Sequence, residues 1–504
     1  MLPTDRAAAA ARSVSRADRS ESRNVACRRN SHVRARIIRH RIARHGPCIT
    51  IGPNNINDIG GFVAAAREHW GSRFGFIMAA AGSAVGLGNI WKFPYETGAN
   101  GGGAFLLLYL LFIVVFGASL ILAEMVLGRA SGRNPVGAFR LLGGGGWPLV
   151  GYLGVFTGFV ILSFYIVIAG WTVAYMGFML DGSLISGDAE SIGAQFNSFI
   201  SGGLTPVLLA GLFMAATVAV VLGGIGKGIE RASKLLMPML FVLLLVLIIR
   251  SISLPGAGEG LRFFLVPDWS KVNGSTFTSA IGQAFFSLSL GMGALITYGS
   301  YLPKTTPMPG SAAIIVGLDT LVAVLAGFMI LPAVFAYGLD PAAGPGLTFV
   351  TLPVVFSQMP AGSVFGFVFF ALLFVAALTS SVSLLEVVVT YLVDETRLTR
   401  RKAALGAGLI CFALGVPSSL SQGAVDIQIL GMDFLSAAAS LTDLLLPIGG
   451  LCTALFVGWK LGPKALSLVT NDGTQRFALA PVWLFVLRFV APIGIVYVLI
   501  SGLF

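Results

Sequence analysis

From about residue 74 onward, apolar runs long enough to cross a bilayer recur along the whole chain, separated by short stretches of Gly, Pro and charge. A spanning helix needs roughly 20 such residues. Inside hydrocarbon every backbone amide and carbonyl must be satisfied within the protein, so only helices or closed barrels cross. Runs near 74–97, 102–128, 148–180, 204–223, 231–254, 276–301, 308–337, 362–393, 402–418, 431–459 and 480–503 predict eleven spans. Hydrophobic residues make up 56% and charged residues 11% of the 504 positions, too little charge to cover a soluble surface. The expected fold class is an all-α polytopic membrane protein.

The formal net charge of +11 does not imply a nucleic-acid partner, because much of it lies in an Arg-dense segment ending near Arg44. Residues 1–60 lack an apolar run that would serve as a signal-peptide core. They read as a disordered extension that touches anionic lipid at most, or as sequence ahead of a mis-assigned start. The patterned membrane domain is placed at 61–504. Cytoplasmic loops are enriched in Lys and Arg. A cytoplasmic amino terminus puts Arg129, Lys227, Lys304, Arg400 and Lys464 inside and leaves only Arg250, Arg262 and Lys271 in the opposite loops. Eleven spans then leave Phe504 outside. Cys27, Cys48, Cys411 and Cys452 show no metal spacing and imply no disulfide framework. The outer connections at 181–203 and 255–275 are moderately polar, and 338–361 ends in an apolar segment expected to form a short re-entrant or capping helix.

Two spans are poor helices at the same depth. The first reads Gly82-Ser83-Ala84-Val85-Gly86-Leu87-Gly88-Asn89, and the sixth reads Ser287-Leu288-Ser289-Leu290-Gly291-Met292-Gly293. Each Gly costs about 1 kcal/mol relative to Ala in a helix. Unwound backbone there would offer carbonyls to Na⁺ and N–H groups to a carboxylate; the other reading is close helix packing through small residues. Asn89, Ser287, Thr379 and Ser380 supply hard oxygen ligands suited to an alkali cation. Taken singly, a membrane Ser or Thr more often bonds to its own helix. Glu124, Asp319, Glu386 and Asp443 fall inside predicted spans, where an Asp costs about 2.5–3.5 kcal/mol at the helix centre. Glu124, near Gly128-Arg129, reads as a structural hydrogen bond to neighbouring backbone; Glu386 and Asp443 have no role assigned from sequence.

The stretch from Arg67-Glu-His-Trp70 through GSAVGLGNIWKFPYETGANGGGAF, GQAFFSLSLGMGALITYGSY at 282–301 and ALTSSVSLLEVVVTYLVDE at 377–395 closely resemble the neurotransmitter:sodium symporters, in particular their bacterial amino-acid members. The resemblance covers everything after about residue 64. It implies the LeuT-type fold: spans 1–5 and 6–10 as inverted repeats with unwound helices 1 and 6, plus an eleventh helix outside that core. The twelfth span of many relatives is missing. Paired interruptions at corresponding places in the two halves mark the binding site of such carriers. The implied function is symport of a small amino acid with sodium across the bacterial inner membrane, without an organic cofactor and without enzymatic chemistry.

Carried over residue by residue, the resemblance implies a first sodium site of the Ala84 carbonyl, Asn89, Ser287 and the substrate carboxylate. Asp319 stands there where relatives often have Asn. The second site would use the Gly82, Val85 and Ala376 carbonyls with Thr379 and Ser380. Asp319 would replace the chloride that balances charge in animal relatives, because Ala323 occupies the position of the usual bacterial Glu. The substrate would lie against Ala84, Gly86 and Ser287, with its carboxylate on the Leu87 and Gly88 N–H groups and the Tyr165 hydroxyl. Amine transporters carry Asp where this chain has Gly86, which favours an amino acid. Ile161, Phe286, Ser289, Met292, Ser383 and Leu384 would line the side-chain pocket and suit a neutral, hydrophobic or aromatic side chain. Lys92 and Asp433 resemble the outer gate pair, with Phe286 and Tyr165 as a lid. Arg67 and Asp394 resemble the inner pair, packed by Trp70, Ser300 and Tyr301; solvated surface charge is the plainer reading of both. A proton-coupled carrier of the same fold and a non-transporting sensor or channel are the competing functions.

Overall fold

A computed structural model describes residues 68–501 apart from 185–187, 343–345 and 397. The Arg-rich extension and Arg67 lie outside the described residues. Nine described helices are long and apolar enough to span: Gly103–Ser131, Pro148–Leu180, Leu204–Leu222, Gly224–Ile252, Met308–Ala336, Gly362–Glu395, Arg400–Leu420, Phe434–Leu461 and Ala480–Ser501. A tenth is broken into Arg73–Ala84 and Gly88–Ala99, bent by 51°. The sixth crossing in chain order is also broken, into Gly274–Ser287 and Ala294–Gly299. Nine, one and one make the eleven crossings that the hydropathy pattern predicts.

The breaks occur where the glycines thin the helix. After Ala84 the chain leaves helical geometry at Val85 (φ −68°, ψ 111°) and resumes at Gly88. In the sixth span Ser289, Gly291 and Gly293 all take positive φ, at 54°, 82° and 75°. Only glycine adopts that region freely, so Ser289 is a strained residue at the centre of the molecule. The third and eighth spans, Pro148–Leu180 and Gly362–Glu395, form the most extensive helix pairing, and Arg73–Ala84 packs against the fifth, seventh and eighth. The first span is thereby cradled by long, unbroken helices.

The connections are more ordered than their polarity implies. Ala189–Ile200 and Ala257–Leu265 form helices in the two long connections, and the capping helix expected within 338–361 runs as Leu347–Ser357. The run expected to begin the tenth span at 431 instead opens as a two-stranded hairpin, Gln428–Ile429 against Met432–Asp433, because Asp433 caps the helix that starts at Phe434.

Gly291 tests this architecture. A Cβ there would lie 2.8 Å from the Gly450 amide nitrogen while φ stays positive. Gly291→Ala is expected to lower stability by about 1–3 kcal/mol, read as a lower unfolding temperature in detergent.

Candidate functional site

The two breaks face each other, and side chains from other spans complete their backbone. Ser380 Oγ donates to the Val85 carbonyl at 3.0 Å, and Ser289 Oγ to the Ser83 carbonyl at 3.0 Å. Gln283 Nε2 donates to the Gly88 carbonyl at 2.9 Å. Asn89 Oδ1 accepts the Gly86 amide at 3.1 Å, and Glu124 Oε1 accepts the Gly291 amide at 2.9 Å. Glu124 therefore serves the broken sixth span rather than the backbone beside it in sequence. Each of these bonds removes an unsatisfied group that would otherwise cost about 1–3 kcal/mol.

Residues named for the first sodium site converge. Asn89 Nδ2 donates to Ser287 Oγ at 2.9 Å and to Asp319 Oδ1 at 2.8 Å, while Ser287 Oγ donates to Asp319 Oδ2 at 2.8 Å. The Tyr109 hydroxyl, which sequence reading missed, lies 3.2 Å from Ser287 Oγ. Asn89, Ser287 and Asp319 are fully or almost fully buried. Ala84 lines the neighbouring cavity, and no contact joins its carbonyl to this cluster among the described residues. Asp319 is a buried carboxyl whose hydrogen-bond partners among the described residues, Asn89 and Ser287, are neutral, an arrangement that suits a cation.

The second set is equally compact. Ser380 Oγ stands 3.4 Å from the Gly82 carbonyl and 3.0 Å from that of Val85. Thr379 Oγ1 bonds the Ala376 carbonyl at 3.0 Å, and its Cβ would lie 3.1 Å from a Cβ placed on Gly82. Ser380 thus sets its hydroxyl among carbonyls of the first span where that span touches the eighth, while Thr379 bonds within its own helix beside Gly82; hydroxyl and carbonyl oxygens of this kind suit a hard monovalent cation. No group of three or more His, Cys, Asp or Glu with metal-binding geometry occurs among the described residues.

Between the breaks lies a small cavity. Ala84, Gly86, Leu87, Gly88, Ile161, Tyr165, Phe286, Ser289, Met292 and Leu384 line it, as do Ser83, Phe164, Ser380 and Leu446. Ser287 and Ser383 stand behind its wall: Ser287 belongs to the Asp319 cluster, and Ser383 accepts from Ser83 Oγ at 2.7 Å and donates to the Ser380 carbonyl at 2.8 Å. The Leu87 amide points at the Tyr165 hydroxyl, 3.4 Å away. A Cβ on Gly86 would fall 2.6 Å from Ser380 Oγ and 3.2 Å from the Tyr165 hydroxyl, so a larger residue there would have to displace the Ser380 hydroxyl. Phe164 lies three residues from Ile161 and Gln283 four before Ser287, so helical spacing could have found both. Leu446 arrives from the tenth span and carries no such signal.

The structure does not bring the expected outer pair together. The Lys92 ammonium lies over the Phe286 ring, 4.6 Å from its centroid, a cation–π contact above the cavity roof. Asp433 accepts from the Ser436 amide at 3.0 Å and from Gln422 Nε2 at 2.7 Å. Its partial burial would raise its pKa, but these bonds hold the carboxyl below its usual range. Asp443, without a role from sequence, is exposed.

At the Lys/Arg-rich end, Trp70 Nε1 donates to the Tyr298 carbonyl at 2.9 Å, and its ring meets Tyr301 edge-on. Ser300 Oγ donates to the Thr297 carbonyl. Asp394 accepts from the Asn134 amide at 2.9 Å. Glu386 gains partners in the fold: Arg400 contacts it at 3.0 and 2.5 Å, and the Tyr301 hydroxyl donates to it at 2.8 Å. A fully buried carboxylate so paired ties the sixth, eighth and ninth spans together at this end.

Two helices broken opposite each other, an apolar cavity between them and cation-suited oxygens at its edge define a membrane carrier of small solutes. The family model of the sodium:neurotransmitter symporters matches residues 67–190 and 186–504, and the chain belongs to that family. It is 41% identical over 436 residues to YhdH, an uncharacterised sodium-dependent transporter of Bacillus subtilis, covering 86% of this chain and 97% of that one. An uncharacterised sodium-dependent transporter of Haemophilus influenzae is 38% identical, covering 87% and 98%. The crystal structure of MhsT in complex with L-phenylalanine superposes with a TM-score of 0.80 at 48% identity, covering 86% of this chain and all of that one. The chain is a multi-pass, sodium-coupled symporter of the LeuT-type fold and not an enzyme.

Removing one partner of a buried ion pair is costlier than removing both. Arg400→Met should destabilise the protein by about 3–5 kcal/mol, and pairing it with Glu386→Leu should recover much of that loss in thermal unfolding.

Proposed function

We propose that the chain imports a neutral, hydrophobic or aromatic amino acid with sodium across a bacterial plasma membrane, independently of chloride. The observation that carries this reading is the cavity itself: an apolar wall with a backbone amide and a tyrosine hydroxyl at one side, directly beside Asn89, Ser287 and Asp319. A carboxylate drawn to Leu87, Gly88 and Tyr165 would meet a sodium ion held at the first set, so each ligand adds to the other's affinity. The tight space around Gly86 supports a substrate that brings its own carboxylate. MhsT, named with L-phenylalanine bound, supports an aromatic side chain.

The mechanism is alternating access. Sodium and substrate enter from the end opposite the Lys/Arg-rich loops and draw the two broken spans together under Phe286. The resulting occluded state then parts the basic-end half of the first span from its neighbours. Ligands that bind the occluded form more tightly than the open one provide the coupling. A second sodium at Gly82, Val85, Ala376, Thr379 and Ser380 would tie the first span to the eighth until release. Asp319 supplies the negative charge that balances the first sodium.

Proteoliposomes with an inward sodium gradient should accumulate labelled phenylalanine, tryptophan or leucine; no sodium-stimulated uptake across an amino-acid panel would refute the reading. Replacing chloride with gluconate should leave wild-type uptake unchanged. Asp319→Ala should lose sodium-driven uptake in gluconate, and unchanged uptake of that variant in both anions would remove the chloride argument. Ser380→Ala deletes a ligand worth about 1.5–3 kcal/mol for a charged partner, so half-maximal uptake should require at least about tenfold more sodium.

A further inference from the structure

The first span's basic end is fastened by a carboxylate that neither sodium set nor the cavity uses. Glu230 opens the helix Arg231–Ile252 of the fifth span, is 3% exposed, and reaches across to the first span. Its Oε2 accepts the Gly71 amide at 2.7 Å, and its Oε1 accepts the Ser72 hydroxyl at 2.8 Å. Ser72 is the cap of Arg73–Ala84, and its Oγ also accepts the Gly75 amide. A Cβ on Gly71 would stand 3.2 Å from Glu230 Oε2, and one on Gly75 would overlap the carboxylate, so both glycines leave the space that Glu230 fills.

Glu230 has one partner that stays with it. Lys234, one turn further along the same helix, donates to Oε1 at 2.6 Å with its own side chain 38% exposed. When the first span parts from the fifth, the bonds to Gly71 and Ser72 break, while the Lys234 bond travels with the carboxylate. The departing helix therefore leaves no uncompensated charge, which is the expensive consequence of breaking most buried ion contacts. Met237, three residues beyond Lys234, lies 3.2 Å through its sulfur from the Cβ position of Gly82. One helix thus touches both the fastening and a carbonyl-bearing residue of the second sodium set.

We propose that Glu230 is a positioning residue of the transport cycle, a latch holding the first span closed at its basic end, and that Lys234 is the counter-charge that makes it reversible. The proposal rests on the alternating-access reading above. The two residues then act with opposite sign. Loss of the carboxylate charge releases the first span, whereas loss of the lysine leaves Glu230 more dependent on Gly71 and Ser72 and holds the span shut. A merely structural ion pair would weaken the same way from either side.

Backbone hydrogen–deuterium exchange across residues 71–84, on full-length protein in sodium-free detergent, separates these cases. Glu230→Gln should speed exchange by about tenfold, the scale of one charge-assisted hydrogen bond. Lys234→Met should slow it below wild type. Equal acceleration in both variants, no acceleration in Glu230→Gln, or no slowing in Lys234→Met would overturn the latch. Exchange in the helix Pro148–Leu180 reports global stability, and the two variants are compared only where it matches wild type; if Lys234→Met fails that check, Lys234→Gln replaces it under the same criteria. Sodium-driven uptake by wild-type proteoliposomes is measured separately: its absence would count against the transport reading, while the sign of the exchange changes would still decide the latch.

Discussion

A helix interrupted inside a membrane exposes amides and carbonyls where no water can satisfy them. In this chain the answer comes from side chains of other spans. Ser380 from the eighth serves Val85, Gln283 and Ser289 from the sixth serve Gly88 and Ser83, and Glu124 from the second serves Gly291. The interrupted spans are thus held in place by the same kinds of group that would bind ligands, and the cavity is a by-product of how the breaks are stabilised.

Charge follows the same logic. Among the carboxylates within or opening the spans, Glu386 is paired with Arg400, and Glu230 with Lys234 and a helix end. Among the described residues, Asp319 and Glu124 receive neutral donors alone. The paired ones lie toward the Lys/Arg-rich end, where they join helices. Asp319 lies beside the cavity wall, bonded to Asn89 and Ser287 and away from that end. Position in the fold therefore separates carboxylates that join helices through a basic partner from one that faces only neutral side chains among the described residues.

Much of the site is legible in the amino-acid order. Local glycine density marks the breaks, the resemblance carried by the signature stretches points to Asn89, Ser287, Thr379 and Ser380, and Asp319 stands out as a carboxylate inside a span; the fold brings Asn89, Ser287 and Asp319 together and sets Ser380 against the Gly82 and Val85 carbonyls. The gates are less legible. Lys92 rests on Phe286 instead of meeting Asp433, which a helix start has already claimed. Glu386 cannot be interpreted from its own span because its partner Arg400 begins the next helix, beyond a connecting loop.

The amino-acid order alone determined that the chain must cross a bilayer about eleven times and that two crossings would fail as helices, because both depend on local hydropathy and glycine content. Tertiary structure alone decided which side chains repair those failures, that Leu446 closes the cavity wall, and that Glu230 reaches Gly71 and Ser72. Those contacts join residues more than a hundred positions apart, and no local property of either partner encodes the distance between them.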